Sequence, residues 1–161
     1  MASIGIRVTP NDIYYTIVDS EDDGYKTISI SHLRIPKALD IPCKLSYVRN
    51  TFITIIKQYK VNRAGIKLIE GNARTEIKGS ISFRINLEGV FLELFANSSI
   101  EKYLLGIAPS ISAVLGLNSK PVKDMAEDLG LNDTDRTDDG RKLSDNNKES
   151  LVVAVAALMQ E

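Results

Sequence analysis

The chain has 161 residues, 43% of them apolar, one cysteine and a formal net charge of −1. That is enough apolar material for one domain with a sizeable core, and too little cysteine for an internal disulfide framework or a cysteine-rich zinc site. The longest apolar run, 151–159, falls far short of the roughly 18 residues of a membrane span, and no basic-then-apolar leader opens the chain; the expectation is a single cytoplasmic domain over 1–161 with no membrane partner.

The small net charge conceals a division along the chain. Residues 34–84 hold eleven Lys or Arg against Asp40, Glu70 and Glu76, a balance of +8, whereas 121–149 hold nine Asp or Glu against five Lys or Arg, a balance of −4. A basic middle of this density suits phosphate contact, although scattered cations on helices also make an ordinary solvated face.

In chain order, 3–19 reads as a hairpin. Ile4, Ile6 and Val8 alternate with small or polar residues, Thr9, Pro10, Asn11 and Asp12 supply turn chemistry, and Tyr14, Tyr15, Ile17 and Val18 make the returning strand. After the acidic turn 21–24, alternation resumes over 25–35 as a third strand of the meander. It carries the lone His32, a polar-face residue rather than a ligand, since no second His shares a metal with it. Pro36 and Pro42 punctuate the exit. Leu45, Val48, Phe52, Ile55, Ile56 and Tyr59 then recur at three and four spacing and predict an amphipathic helix over 44–59, with Cys43 just before it expected to be a buried or half-buried thiol.

Residues 63–71 read as a short apolar fourth strand with Glu70 at its carboxyl end, the end where open sheets gather their sites. A largely apolar helix is expected over 82–96, a fifth strand over 103–107, a short helix over 111–117, and another that starts at Pro121 and stops at Gly130. The polar, acidic stretch 132–145 is expected to be a flexible loop, and a last helix follows over 146–160, capped by Asp145 or Asn146. Ser110 and Ser112 have only His32 as a conceivable base, which excludes a serine triad. Residues 116–120 lack the spacing of a phosphate-binding loop.

Three antiparallel strands, a helix, a strand ending in Glu, a helix, a fifth strand and further helices follow the element order of the ribonuclease H-like fold. The chain resembles the RuvC branch of that superfamily, the Holliday-junction resolvases and their relatives. GIRVTPNDIYYTIVD at 5–19 stands where the family has Gly-Ile-Asp-Pro-Gly and a second strand, and IKLIEG at 66–71 where it has an apolar strand ending in Glu. APSISAVLGLNSKPVKDM at 108–125 and NNKESLVVAVAALM at 146–159 stand for its Ala-Pro helix, glycine-rich stretch and final acidic helix. The fold class implied is α/β, a mixed five-stranded sheet flanked by helices, with the first three strands antiparallel and the last two parallel.

The family's reaction is phosphodiester hydrolysis by two divalent ions about 4 Å apart on four carboxylates. Carried over residue by residue, Glu70 and Glu149 retain two acidic positions, while Arg7 occupies the first aspartate and Asn146 the first of the helix pair. A fixed cation beside a metal site repels a divalent ion by several kcal/mol where water is partly excluded. The resemblance therefore implies a pseudo-nuclease: a catalytically degenerate RuvC-like nucleic-acid-binding or structural subunit of a nucleic-acid-processing assembly, with no metal cofactor expected. Lys57, Lys60, Arg63, Lys67, Arg74 and Lys78 are the expected nucleic-acid-binding residues, DNA or another structured nucleic acid the expected ligand, and a homodimer or protein partner the expected assembly.

One alternative is a metal-dependent, structure-selective endonuclease. Asp145 and Glu149 lie at i and i+4 on one helix and, with Glu70 and Asp12, would rebuild a Mg²⁺ or Mn²⁺ site. The other is a protein-interaction scaffold without nucleic acid.

Overall fold

The computed structural model describes residues 1–70 and 78–161, without the side chain of Lys78. Five strands, β1 (Ala2–Val8), β2 (Asp12–Glu21), β3 (Gly24–Arg34), β4 (Val61–Lys67) and β5 (Lys102–Gly106), form one sheet in the order β3-β2-β1-β4-β5. β1, β2 and β3 pair antiparallel; β4 pairs parallel to both β1 and β5. This is the mixed sheet expected from the element order.

The strand period sorts the side chains between two layers of helices. Ile4, Ile6, Ile13, Ile17 and Ile66 face α1 (Ile41–Gln58) and α2 (Lys78–Ala96), where Phe52 and Phe91 meet edge to face at 4.9 Å. The other face is covered by α5 (Asp145–Met159), flanked by α3 (Ala108–Leu115) and by a 3₁₀ turn (Val122–Asp124) leading into a one-turn helix, α4 (Met125–Asp128). Ile111, Val122, Met125, Val152 and Val153 make the core there.

Several boundaries differ from expectation for reasons of capping. α1 starts at Ile41, because the Asp40 carboxylate accepts the Cys43 amide at 2.9 Å and Pro42 falls in the first turn, where its missing N–H costs nothing. Cys43 is thereby exposed rather than buried. α3 likewise begins at Ala108, with Pro109 in its first turn, and ends on Gly116 at φ +66°. The cap of α5 is Ser144, one residue before the expected pair. α2 is less fully buried than its apolar composition suggests: Leu87, Phe91, Leu94 and Phe95 are enclosed, but Ile85 and Leu92 are exposed, as are Tyr103, Leu105 and Ile107 on and beside edge strand β5.

Within residues 132–145, the stretch expected to be a flexible loop, Asp138 is bonded to the other sheet edge. The Asp138 carboxylate accepts the Ile30 amide and the Ser29 hydroxyl, and the Asp138 amide donates to the Ile30 carbonyl, both backbone contacts at 2.9 Å. Leu143 is buried. No helix among the described residues is long and apolar enough to cross a membrane.

Candidate functional site

Two adjacent rows of the sheet explain why charge collects in one place. On the α5 face, Gly5 lies beside Gly65. A Cβ on Gly5 would collide with the Ser150 carbonyl and the Ala154 amide, and one on Gly65 with Val153, so α5 rests on bare strand backbone. The Ser3 hydroxyl bonds the Ala154 carbonyl at 2.9 Å, and Thr16 meets Ser150 at 2.8 Å, fixing the helix along that row.

One row further, toward the carboxyl ends of β1 and β4, Arg7 and Lys67 stand side by side, and Tyr14 and His32 continue the row across β2 and β3. Glu149, the residue before Ser150, therefore comes down over Arg7. Its Oε2 lies 2.8 Å from Arg7 Nε, with side chains only 17% and 16% exposed. The N–H is not aimed along this contact, so the attraction is that of an ion pair rather than of an aligned hydrogen bond.

Lys67, 7% exposed at its side chain, donates to the Leu68 carbonyl at 2.8 Å and pairs with Glu70 at 3.1 Å. Glu70 also accepts the amide of Ala108, the first residue of α3 and one of the donors that a helix start leaves without an internal partner. The Ala108 amide and then the Lys67 ammonium hold the Glu70 carboxyl below the usual carboxylate range. Behind them, α2 buries Arg84 and Glu88 one turn apart; Glu88 accepts the Ile69 amide at 2.7 Å and so fastens the segment between β4 and Glu70. Burial pushes the Glu88 carboxyl up, against the Ile69 amide and the charges of Arg84, Arg7 and Lys67.

These groups surround a cleft of about 570 Å³ lined by Arg7, Lys67, Glu70, Arg84, Lys120 and Glu149, among others. Glu70 and Glu149, expected to share a site, both line this cleft, Glu149 paired with Arg7 and Glu70 with Lys67. Asp145 does not join: it is exposed and pairs with Lys123 at 3.2 Å. Asp12 is turned to Arg34, at 3.1 Å, and Asn146 is half-buried in the first turn of α5. Among the described residues no group of three His, Cys, Asp or Glu is placed to hold a metal ion.

The expected phosphate-contacting residues do not form one surface. Lys57 and Lys60 are exposed beside the amino end of β4, and Arg63 near that end donates to the Gln160 carbonyl. Lys67 is at the opposite end, four residues on and so roughly 13 Å away, buried in the cleft. Arg74 and the side chain of Lys78 lie outside the described residues. Sequence reasoning missed Arg84, Glu88 and Lys120 as members of the site. The first two left a signal, an Arg and a Glu at i and i+4 on a helix rich in apolar residues.

No family model matches the sequence, and no curated protein matches it significantly. Solved structures match it in fold. Thermus thermophilus RuvC superposes with a TM-score of 0.73 at 11% identity over 99% of this chain and 94% of that one. The yeast mitochondrial Holliday junction resolvase Ydc2 gives 0.67 at 14% identity over 98% of this chain and 77% of the other. The Fowlpox virus resolvase, in complex with its substrate Holliday junction DNA, gives 0.58 at 12% identity over 99% and 97%. At such identities the likeness concerns architecture, and on that ground the chain has the ribonuclease H-like fold of RuvC and other Holliday junction resolvases.

Proposed function

We propose that this chain is a nucleic-acid-binding, RuvC-like protein that has lost the two-metal reaction and acts as a binding or structural subunit of a nucleic-acid-processing assembly. The observation that carries the reading is the pair of contacts Arg7–Glu149 and Lys67–Glu70: each carboxylate that a resolvase-like centre would offer to metal is engaged by a built-in cation. Two divalent ions need several carboxylates whose charge is uncompensated. Among the described residues the donor set is two carboxylates beside Arg7 and Lys67, which does not fit such a centre, so no hydrolytic step is assigned to it. Nucleic acid as the ligand is supported by the fold, since similar structures of Thermus thermophilus RuvC and the Fowlpox virus resolvase are complexes with Holliday junction DNA.

The test is thermal denaturation with and without Mn²⁺, beside binding and cleavage of a four-way DNA junction. Junction binding at low salt with no Mn²⁺-dependent stabilisation and no cleavage is the expected result. Metal-dependent cleavage lost on Glu70→Gln would reinstate the endonuclease.

A further inference from the structure

We propose that the open edge of β3, with the groove between it and residues 129–138, docks an extended segment of a partner protein that carries Lys or Arg at alternate positions. The segment adds to the sheet as a sixth strand. This surface lies at the sheet edge remote from β5, away from the Arg7–Lys67 cleft, and the inference does not depend on how that cleft is read.

Unpaired backbone is the first ground. In an antiparallel pair every second residue turns its N–H and C=O away from the neighbouring strand. Ile30 is one of these, because Asp138 takes both groups from outside the sheet. Counting back past the bulge, where Ile28 is the extra residue between Ser29 and Thr27, the next two are Thr27 and Tyr25. Neither has a backbone partner outside the sheet among the described residues. Thr27 is exposed, and so is Ile28 beside it. Asp138 thus closes the edge at one residue and leaves these two to offer their four ladder groups to an incoming strand.

The chemistry of the groove is the second. It encloses about 620 Å³, with Tyr25, Leu129 and Leu131 among its apolar walls and Asp23, Asp135 and Asp138 set between them. Tyr25 holds the far wall by donating its hydroxyl to the Leu129 carbonyl at 2.8 Å. Asp135 accepts the Asn132 amide and Asp138 that of Ile30, bonds that leave their charge in place. Among the described residues none of the three carboxylates forms an ion pair. Arg136 is the one lining cation, and its guanidinium is turned to the Asp133 and Asp135 carbonyls. A Lys or Arg side chain joins an apolar stem to a cationic head. Alternate residues of an added strand therefore lay their stems on the leucines and present their heads to the carboxylates.

The same charge decides between occupants. Glu21 and Asp22 continue the negative wall past the hairpin turn. A second copy paired through β3 would bring two acidic grooves together, and a nucleic-acid backbone would meet charge of its own sign. A strand bearing Lys or Arg is the occupant whose charge is complementary.

The experiment measures binding to the whole chain, at low salt, of fluorescent heptapeptides in which threonine alternates with arginine, lysine, norleucine or glutamate. At least one cationic peptide should bind, and the norleucine and glutamate peptides should be weaker by about tenfold or more, the equivalent of a charge-assisted hydrogen bond. Asp135→Asn should weaken the cationic peptides. Thr27→Pro removes an outward N–H that the ladder with β2 does not use, a change an edge strand tolerates. It should lower affinity by about tenfold, with Tm and four-way junction binding little changed. In the bound peptide, methylating one alternate set of amides should abolish binding and methylating the other set should not. No binding by either cationic peptide, equal binding of the glutamate peptide, or undiminished binding to a folded Thr27→Pro variant overturns the proposal. Should that variant fail to fold, equal effects of the two methylated sets overturn it. Self-association of the chain in sedimentation, abolished by Thr27→Pro, would make a second copy the occupant and overturn it as well.

Discussion

Gly5 and Ser150 meet backbone against side-chain-free backbone: a Cβ on Gly5 would run into the Ser150 carbonyl and into Ala154 beyond it. That contact seats α5 on the sheet and sets Glu149, the residue before Ser150, over Arg7. Gly5→Ala is therefore expected to destabilise the protein by about 3 kcal/mol, the upper part of the usual overpacking range, and to lower Tm by roughly 10 °C in a chain of this size. Thermal denaturation reads the effect; an unchanged Tm would mean that α5 is not held this closely.

Arg7→Ala leaves Glu149 without its cation in a largely enclosed place. The expected loss is about 2 kcal/mol, between the value of an exposed pair and that of a fully buried one. Arg7→Asp should instead put three carboxylates, at positions 7, 70 and 149, around the cleft, and gain stability on addition of Mn²⁺ where the wild type does not. A Tm of Arg7→Asp that is indifferent to Mn²⁺ would show that charge at position 7 alone does not decide metal binding.

Glu88 supplies a pH test. Its carboxyl is raised above 4.5, chiefly by burial, so the folded protein holds this proton more tightly than the unfolded chain does. Stability contributed by the protonated form is complete below the unfolded-state pKa and declines as pH rises through the raised folded-state value. Glu88→Gln keeps an oxygen to accept the Ile69 amide and has no charge to enclose. Relative to wild type, the variant should gain stability as pH rises from about 4 toward neutrality. Urea unfolding of both proteins across that range checks it, and a difference that does not change with pH would contradict the assignment.

Asp138→Ala should release the acidic segment from β3. The Ile30 amide loses its acceptor and the Ser29 hydroxyl its partner, at a cost of about 1–3 kcal/mol if the amide stays enclosed. Hydrogen exchange at Ile30 should accelerate while that of Ile4 and Ile6, at the centre of the sheet, should not. Equal acceleration at all three would point to global destabilisation instead.

Much of this architecture was legible in the sequence because it depends on local periodicity. Alternation at Ile4, Ile6 and Val8, three-and-four spacing from Leu45 to Tyr59, and a short apolar strand leading to Glu70 each follow from the geometry of a single element, and their order named the fold. The same alternation placed Ser3, Gly5 and Arg7 together on the opposite face of β1, though not what would cover them. Helix starts were misplaced where a proline stood in the first turn, at Pro42 and Pro109, since the same residue also serves to end an element.

The site itself was decided by tertiary structure. Lys67 counted as one surface cation among many in the basic middle; only its register beside Arg7, and the helix resting on the glycine row before it, turned it into the cleft. Asp145 and Glu149 share a helix face by spacing, yet Lys123 takes one and Arg7 the other. Ion pairs between distant segments are set by which backbones approach and how closely, and spacing within one element does not carry that information. The sequence by itself determined which charges this protein has and on which elements they ride; the packing of α5 on Gly5 and Gly65 decided which of them meet.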